Sequence, residues 1–242
     1  MLSALSPPDI VAVGLFIAVW TLLEILLEYT ALKKRTLGGL MAEQRRNWIR
    51  VLAERELRMV DTQIISGLQQ GCAFFTSTSI IAIGGCFALL GSADTALQIY
   101  RDLPLPTEIS RAAWEIKVLC LALILAYTFF KFGWAYRLFN YCGILIGAVP
   151  EHTDPDHERR QAAAGKLADM NIIAGRHFNA GMRGLFFALG YLGWFVGPYM
   201  FMLTTVFVVL VLIRRQFFSH ARRVLIEESR EASPGSAGHG AG

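Results

Sequence analysis

The stretch IVAVGLFIAVWTLLEILLEYTALKKR, residues 10–35, decides the fold class. Residues 10–31 are almost wholly apolar, and about 20 such residues are needed to carry an α-helix across roughly 30 Å of hydrocarbon. Asp9, following Pro7 and Pro8, starts the segment, and Lys33, Lys34 and Arg35 stop it. Two carboxylates, Glu24 and Glu28, interrupt the run. A charge at the centre of a membrane helix costs roughly 2.5 to 3.5 kcal/mol on insertion scales, so these side chains must be paired, must line water, or must do both.

The rest of the chain has the same character. Of 242 residues, 54% are hydrophobic and only 17% charged, a composition too apolar for a soluble domain of this size. Three further regions have spanning character, at about 68–90, 112–136 and 184–213. Trp20, Trp114, Trp134 and Trp194 mark either interface depths or packing positions. The formal net charge is +4, but the excess Lys and Arg flank apolar segments. There they act as topology signals, and without a recognition motif no nucleic-acid partner is expected. Residues 1–10 lack a basic leader and no small-residue cleavage site precedes Lys33, so the first run is expected to stay as an anchor. Cys72, Cys86, Cys120 and Cys142 lie in or beside apolar segments without CxxC spacing and are expected to be buried, inert thiols.

Between the first two spans, residues 37–66 alternate apolar side chains with Arg45, Arg46, Arg50, Glu54, Arg55, Glu56 and Arg58. The spacing predicts an amphipathic helix of about 20 to 25 residues, continuous with the second span. It either lies on anionic lipid or packs as a cytoplasmic stalk, and i,i+4 pairs such as Glu54 with Arg58 favour the stalk. A second cytoplasmic helix is expected from about Asp156 to Ile173.

The loop at 91–111 has no positive excess and suits the outer face, whereas 32–66, 137–183 and the segment after Ile213 are basic and suit the cytoplasm. The N-terminus would then be outside. Four simple spans would strand Arg214, Arg215, Arg222 and Arg223 on the outside as well. Either the last apolar region is a hairpin broken at the hinge Gly197-Pro198, or it is one tilted, kinked helix. Two 14-residue arms would each reach only about 21 Å, so the turn would have to be buried in protein. Residues 1–228 are expected to form one helical membrane domain and 229–242 a disordered Gly/Ser/Pro-rich tail.

Four local patterns, RELRMVDTQI (55–64), FFKFGWAYRLFNYCGILIGAVP (129–150), HFNAGMRGLFFALGYLGWFVGP (177–198) and VLVLIRRQFFSHAR (209–222), carry a resemblance. They resemble the uncharacterised bacterial membrane family called domain of unknown function 599, over most of residues 10–223. The resemblance implies a small helical multi-pass membrane protein and transfers no catalytic or ligand residue.

Depth counting picks out one constellation. Glu24 and Glu28 share a helix face and lie about 13 and 7 Å inside Lys33, while Lys131 lies about 9 Å inside Arg137. If the first and third spans touch, the three groups meet, as a buried ion pair that fixes register or as a charged lining for transport. Gln69, Gln70, Thr76, Ser77, Thr78 and Ser79 make the second span polar, for packing or for lining a pathway. Asn140, Tyr141, His177, Asn179 and Arg183 sit at two junctions and would gather at a cytoplasmic vestibule or serve as caps. His152, Asp154, Asp156, His157 and Glu158 in EHTDPDHE lack metal-site spacing, so a solvated loop is expected and neither metal nor cofactor is assigned. No GxSxG, HExxH or phosphate-binding glycine loop is present, and an enzyme is not expected.

These readings converge on an all-α, multi-pass transmembrane bundle of three or four spans with cytoplasmic amphipathic helices. Small bundles fill their own middle, so a homo-oligomer is expected. The function expected is an oligomeric ion channel or small-solute transporter. The alternative is a scaffold or regulatory subunit binding another protein.

Overall fold

A computed structural model describes residues 5–102 and 110–231. The chain is all-α, with no strand among the described residues. Its helices are α1 (Pro7–Glu28), α2 (Leu37–Ala53), α3 (Met59–Gly91), α4 (Ala93–Arg101), α5 (Arg111–Ala148), α6 (His157–Tyr191), the single turn α7 (Gly193–Val196), α8 (Pro198–Phe217) and α9 (His220–Glu231), with a 3-10 turn at Ala31–Arg35. Among the described residues, four helices, beginning at Pro7, Met59, Arg111 and Pro198, are long and apolar enough to cross a membrane. The molecule is a multi-pass membrane bundle. The tail expected from residue 229 starts as the last turn of α9, and residues 232–242 lie outside the described residues, as do 103–109 of the outer loop.

Local chemistry sets the ends of α1 and α2. The Ser6 N–H donates to the Asp9 carboxylate at 3.0 Å, closing the first turn behind Pro7 and Pro8. Thr36 opens α2 by accepting from the Gly39 N–H at 3.1 Å. The continuous helix predicted over 37–66 does not form, because α2 ends at Ala53 and α3 restarts at Met59. Side chains account for the break. Arg58 donates to the carbonyls of Ile146, Val149 and Pro150 at the end of α5 (3.1, 2.6 and 2.6 Å), and this holds the elbow there. Trp48 and Arg55 both close onto the fully buried Asp61, at 2.7 and 2.6 Å. The α2 helix lies against α6 in the same chain, with Arg46 on Asp169 at 2.9 Å and Arg45 hydrogen-bonded to Asn171.

The last apolar region resolves as an antiparallel hairpin, not a single kinked helix. Its first arm is longer than expected, since α6 is one continuous 35-residue helix and the separate element predicted to stop near Ile173 is its first half. Pro198, the first residue of α8, has no N–H to offer the carbonyl of Trp194 four residues back. That carbonyl accepts from the Lys117 ammonium instead, at 2.8 Å, and the next one, of Phe195, accepts from the Tyr100 hydroxyl at 2.8 Å. The turn's freed carbonyls are therefore satisfied within the protein; Gly193 and Trp194 are buried, whereas Leu192, Val196 and Tyr199 stay exposed. Its arms fit closely: a Cβ on Gly190 would meet Val208 at 2.9 Å, and one on Gly193 would run into the Thr204 hydroxyl.

This geometry removes the topology conflict. Trp194, just past α6, donates to Asp9 at the start of α1 at 2.6 Å, while Arg183 contacts Glu24 near its end. The second half of α6, continued by α7, thus runs past α1 from Glu24 to Asp9 and makes a further passage through the bundle. With α1, α3, α5 and α8 it returns the chain so that the α1–α2 turn, the α5–α6 loop and the start of α9 share one end, the basic end, opposite α4.

Two apolar cores occupy the two ends. One gathers α1, α4, α8 and the adjoining halves of α5 and α6 around Phe187, Trp194 and Phe201; the other packs α2 against α3, α5 and α6 around Leu52, Phe139 and Leu167. Trp20, Trp114 and Trp194 belong to the first core rather than to an interface belt, and Trp134 is exposed. Between the cores the α5–α6 contact tightens to glycine spacing. A Cβ on Gly181 would meet the Phe132 ring at 2.8 Å, and one on Gly184 would meet Thr128 at 2.6 Å. Gly184→Val is expected to lower stability by about 1–3 kcal/mol through overpacking, read as a lower midpoint of unfolding in detergent. Single cysteines at Leu32 and Val224, both exposed, are expected to react with an impermeant maleimide from one side of the membrane, and one at Ile99 from the other. Labelling of the Val224 site from the same side as the Ile99 site would refute the hairpin topology.

Candidate functional site

The two carboxylates of α1 face α6. Arg183 Nε donates to Glu24 Oε1 at 3.0 Å, and Nη2 donates to Glu24 Oε2 at 2.7 Å and to Glu28 Oε1 at 3.1 Å. One guanidinium thus forks onto Glu24 and bridges to Glu28, which suits its planar set of donors. Lys33 completes the group, with Nζ 3.6 Å from Glu28 Oε2 and 3.0 Å from the Glu28 carbonyl. Arg183 is 4% exposed, whereas the Glu24 and Glu28 side chains keep 21% and 20% of their surface. The carboxylates therefore form one wall of an open space.

That space is a cavity of about 410 Å³ between α1, α5 and α6, lined by Glu24, Glu28, Lys33, Tyr127, Lys131, Arg176, His177 and Arg183 among others. Lys131 is on its lining, as depth counting predicts, but the carboxylates' ion-pair partner is Arg183. Lys131 instead lies over the Tyr127 ring, 5.2 Å from its centroid. Four cations therefore face two carboxylates. Glu24 and Glu28 are both engaged by Arg183, and no carboxylate lies within ion-pair distance of Lys131 or Arg176 among the described residues. On the other face of Arg183, an adjoining groove of about 320 Å³ lies between α2, α6 and α8 and shares Glu28, Lys33, Arg176 and Arg183 with the cavity.

The other residues singled out in the sequence disperse. His177 lines the cavity and Asn179 the groove, but Asn140 and Tyr141 line neither. Asn140 accepts from Gln69 across α3 and α5 at 2.9 Å, and Tyr141 accepts from Arg137 at 2.7 Å. Along α3, Thr76, Thr78 and Ser79 donate to carbonyls one turn back, at 2.8, 2.9 and 2.8 Å, and Ser79 also meets Thr128 of α5 at 3.1 Å. These hydroxyls are spent on their own helix and one neighbour. Gln70 and Ser77 are exposed on the outer face of α3. In the EHTDPDHE loop, His152 and Asp154 offer backbone carbonyls to Arg160 at 3.1 and 2.8 Å, and Asp156 caps α6.

A second ionic cluster lies at the opposite end. Lys117, 3% exposed, reaches the Trp194 carbonyl, and Trp194 hydrogen-bonds Asp9, whose charge faces the lysine. Depth counting from basic flanks overlooks Lys117; the signal for it was its own charge, lying inside the apolar run at 112–136. Between the two clusters the α1–α6–α8 column is filled by rings. Trp20 stacks on Phe187 at 4.8 Å, and Phe16 and Phe201 both pack against Tyr191, at 5.8 and 5.2 Å. The cavity is thus closed from the far cluster by an aromatic layer.

Comparison with known families places the chain: the profile of the family described as "Protein of unknown function, DUF599" matches residues 11–221, and the chain belongs to that family. No match is found among curated proteins or among solved structures.

Removing one partner of a buried pair costs more than losing a solvated cation. Arg183→Met is expected to destabilise the protein by about 3 kcal/mol, the low end for such pairs because the glutamates are partly exposed. Lys131→Met is expected to cost less than about 1 kcal/mol. Unfolding midpoints in detergent read both, and equal losses would show that Arg183 is not the dominant partner.

Proposed function

We propose that this member of the family is a non-enzymatic, multi-pass protein of the bacterial inner membrane that takes up an anionic small solute through its cavity. One observation supports the reading above the others: the cavity's four cations are matched by only two carboxylates, both engaged by Arg183. Lys131 and Arg176 are left facing a space large enough for a small ion and its water. An uncompensated cation at membrane depth is costly, and an anion entering from solvent offsets that cost. The aromatic layer below the cavity would act as the closed barrier, and the Lys117–Asp9 cluster as the polar landing beyond it.

Orientation follows from charge. The end carrying Lys33, Lys34, Arg35, Arg214 and Arg215 would be cytoplasmic and the N-terminus periplasmic. Assembly as a homo-oligomer is supported by α3, whose outer face leaves the Gln70 amide without a partner among the described residues. A second reading, a scaffold or regulatory subunit, is favoured by a different feature. Leu57, Met59 and Val60 are exposed at the α2–α3 elbow, at the basic end, where an apolar patch would suit a protein partner.

Flux of chloride and of inorganic phosphate into proteoliposomes separates the readings. The transport reading predicts anion uptake by the wild type, reduced about tenfold or more in Lys131→Glu, which replaces an attraction by a repulsion at the cavity wall. Uptake no greater than in empty liposomes, or unchanged by that substitution, would leave the scaffold reading.

A further inference from the structure

We infer that the groove between α2, α6 and α8 is a seat for the phosphate-bearing headgroup of an anionic membrane phospholipid. It is a separate space from the solute cavity, on the opposite face of Arg183. Its charge is more one-sided: Lys33, Arg45, Arg176, Arg183 and Arg215 face a single carboxylate, Glu28, which Arg183 and Lys33 already engage.

The groove combines apolar and cationic side chains along its length. Met182, Phe186 and Leu212 line it toward the membrane core with Arg183 and Arg215 set among them, and Arg45, Arg176 and Asn179 line it toward the basic end. From Phe186 to Gly175 along α6 is about 16 Å at helical rise, the extent of a headgroup with its glycerol and the first acyl carbons. Apolar side chains interleaved with cations over that distance, at the level where α1 and α8 leave the apolar region, match a phospholipid lying parallel to the helices. A soluble phosphate has no use for the apolar side chains.

The cations are held ready. Arg45 rests on Gly175, where a Cβ would come within 3.3 Å of its guanidinium carbon, so glycine leaves room for the side chain to lie flat on α6. Asn171 accepts from one of its nitrogens and orients it, and its remaining N–H groups have no acceptor among the described residues. Burial disfavours its charged form and lowers its pKa below the ordinary guanidinium value, a cost that a bound phosphate would offset. Arg215 lies 5.2 Å from the centre of the Phe186 ring, which holds it over the mouth of the groove.

Native mass spectrometry of the full-length protein, released from detergent with an equimolar mixture of phosphatidylglycerol and phosphatidylcholine, tests the assignment. Retention of phosphatidylglycerol over phosphatidylcholine is expected. Each cation near a membrane surface is worth about fivefold in lipid affinity, so Arg45→Gln with Arg215→Gln should weaken retention about 25-fold. Arg137→Gln, at a cation outside the groove, should leave it unchanged. Equal retention of the two lipids by the wild type, or equal loss in the Arg137 variant, would overturn the proposal. Added glycerol phosphate or inorganic phosphate that displaces the lipid at equal concentration would overturn the lipid as source in favour of a soluble phosphate. Because neither Arg45 nor Arg215 lines the solute cavity, a lipid result of either sign is independent of the Lys131 flux measurement.

Discussion

The grip of Arg183 on Glu24 and Glu28 is the constraint that the rest of the structure accommodates. Three charges within the span of the bundle are tolerable only if they meet, and the fork geometry allows them to meet in one arrangement of α1 and α6. Once α6 is held there, its polar first half is drawn alongside α2, where Asn171 and Asp169 receive Arg45 and Arg46. Its apolar second half is carried down to Asp9. The register of the bundle is thus written in charge at one level and in glycine at the next, where Gly181 and Gly184 seat α6 on Phe132 and Thr128.

The far end solves a different problem with the same economy of groups. A proline at the head of α8 leaves carbonyls without donors in a region with little water, and the cost of an unsatisfied carbonyl there is several kcal/mol. Lys117 and Tyr100 supply the missing donors. A buried lysine and a broken helix, each costly alone, offset one another.

Much of this was legible in the sequence. The apolar run at 10–31 gives α1 to within three residues at each end, and the basic flanks give the common end for the α1–α2 turn and α9. Membership of a family without assigned activity agrees with the resemblance in the motifs at 55–64, 129–150 and 177–198. What hydropathy could not show is the passage made by α6, because a window average penalises Arg176, His177 and Arg183 without knowing that a partner waits on α1. For the same reason depth counting chose Lys131 over Arg183 as the partner: both lie on the cavity, but only the three-dimensional facing of α6 gives Arg183 the fork. The break after Ala53 was hidden as well, since the bonds of Arg58 to the end of α5 span about 90 residues of sequence and leave no local trace.

The spacing of these partners along the chain also bears on how the protein is made. Arg183 lies 159 residues beyond Glu24 and 155 beyond Glu28, whereas Lys33 is only five beyond Glu28. On a ribosome the carboxylates reach the bilayer long before the guanidinium exists. During that interval Lys33 can neutralise Glu28 within the same hairpin turn of chain, which leaves Glu24 as the one charge that must wait. The contact that seats α1 against α6 is therefore one that cannot form until residue 183 has been made.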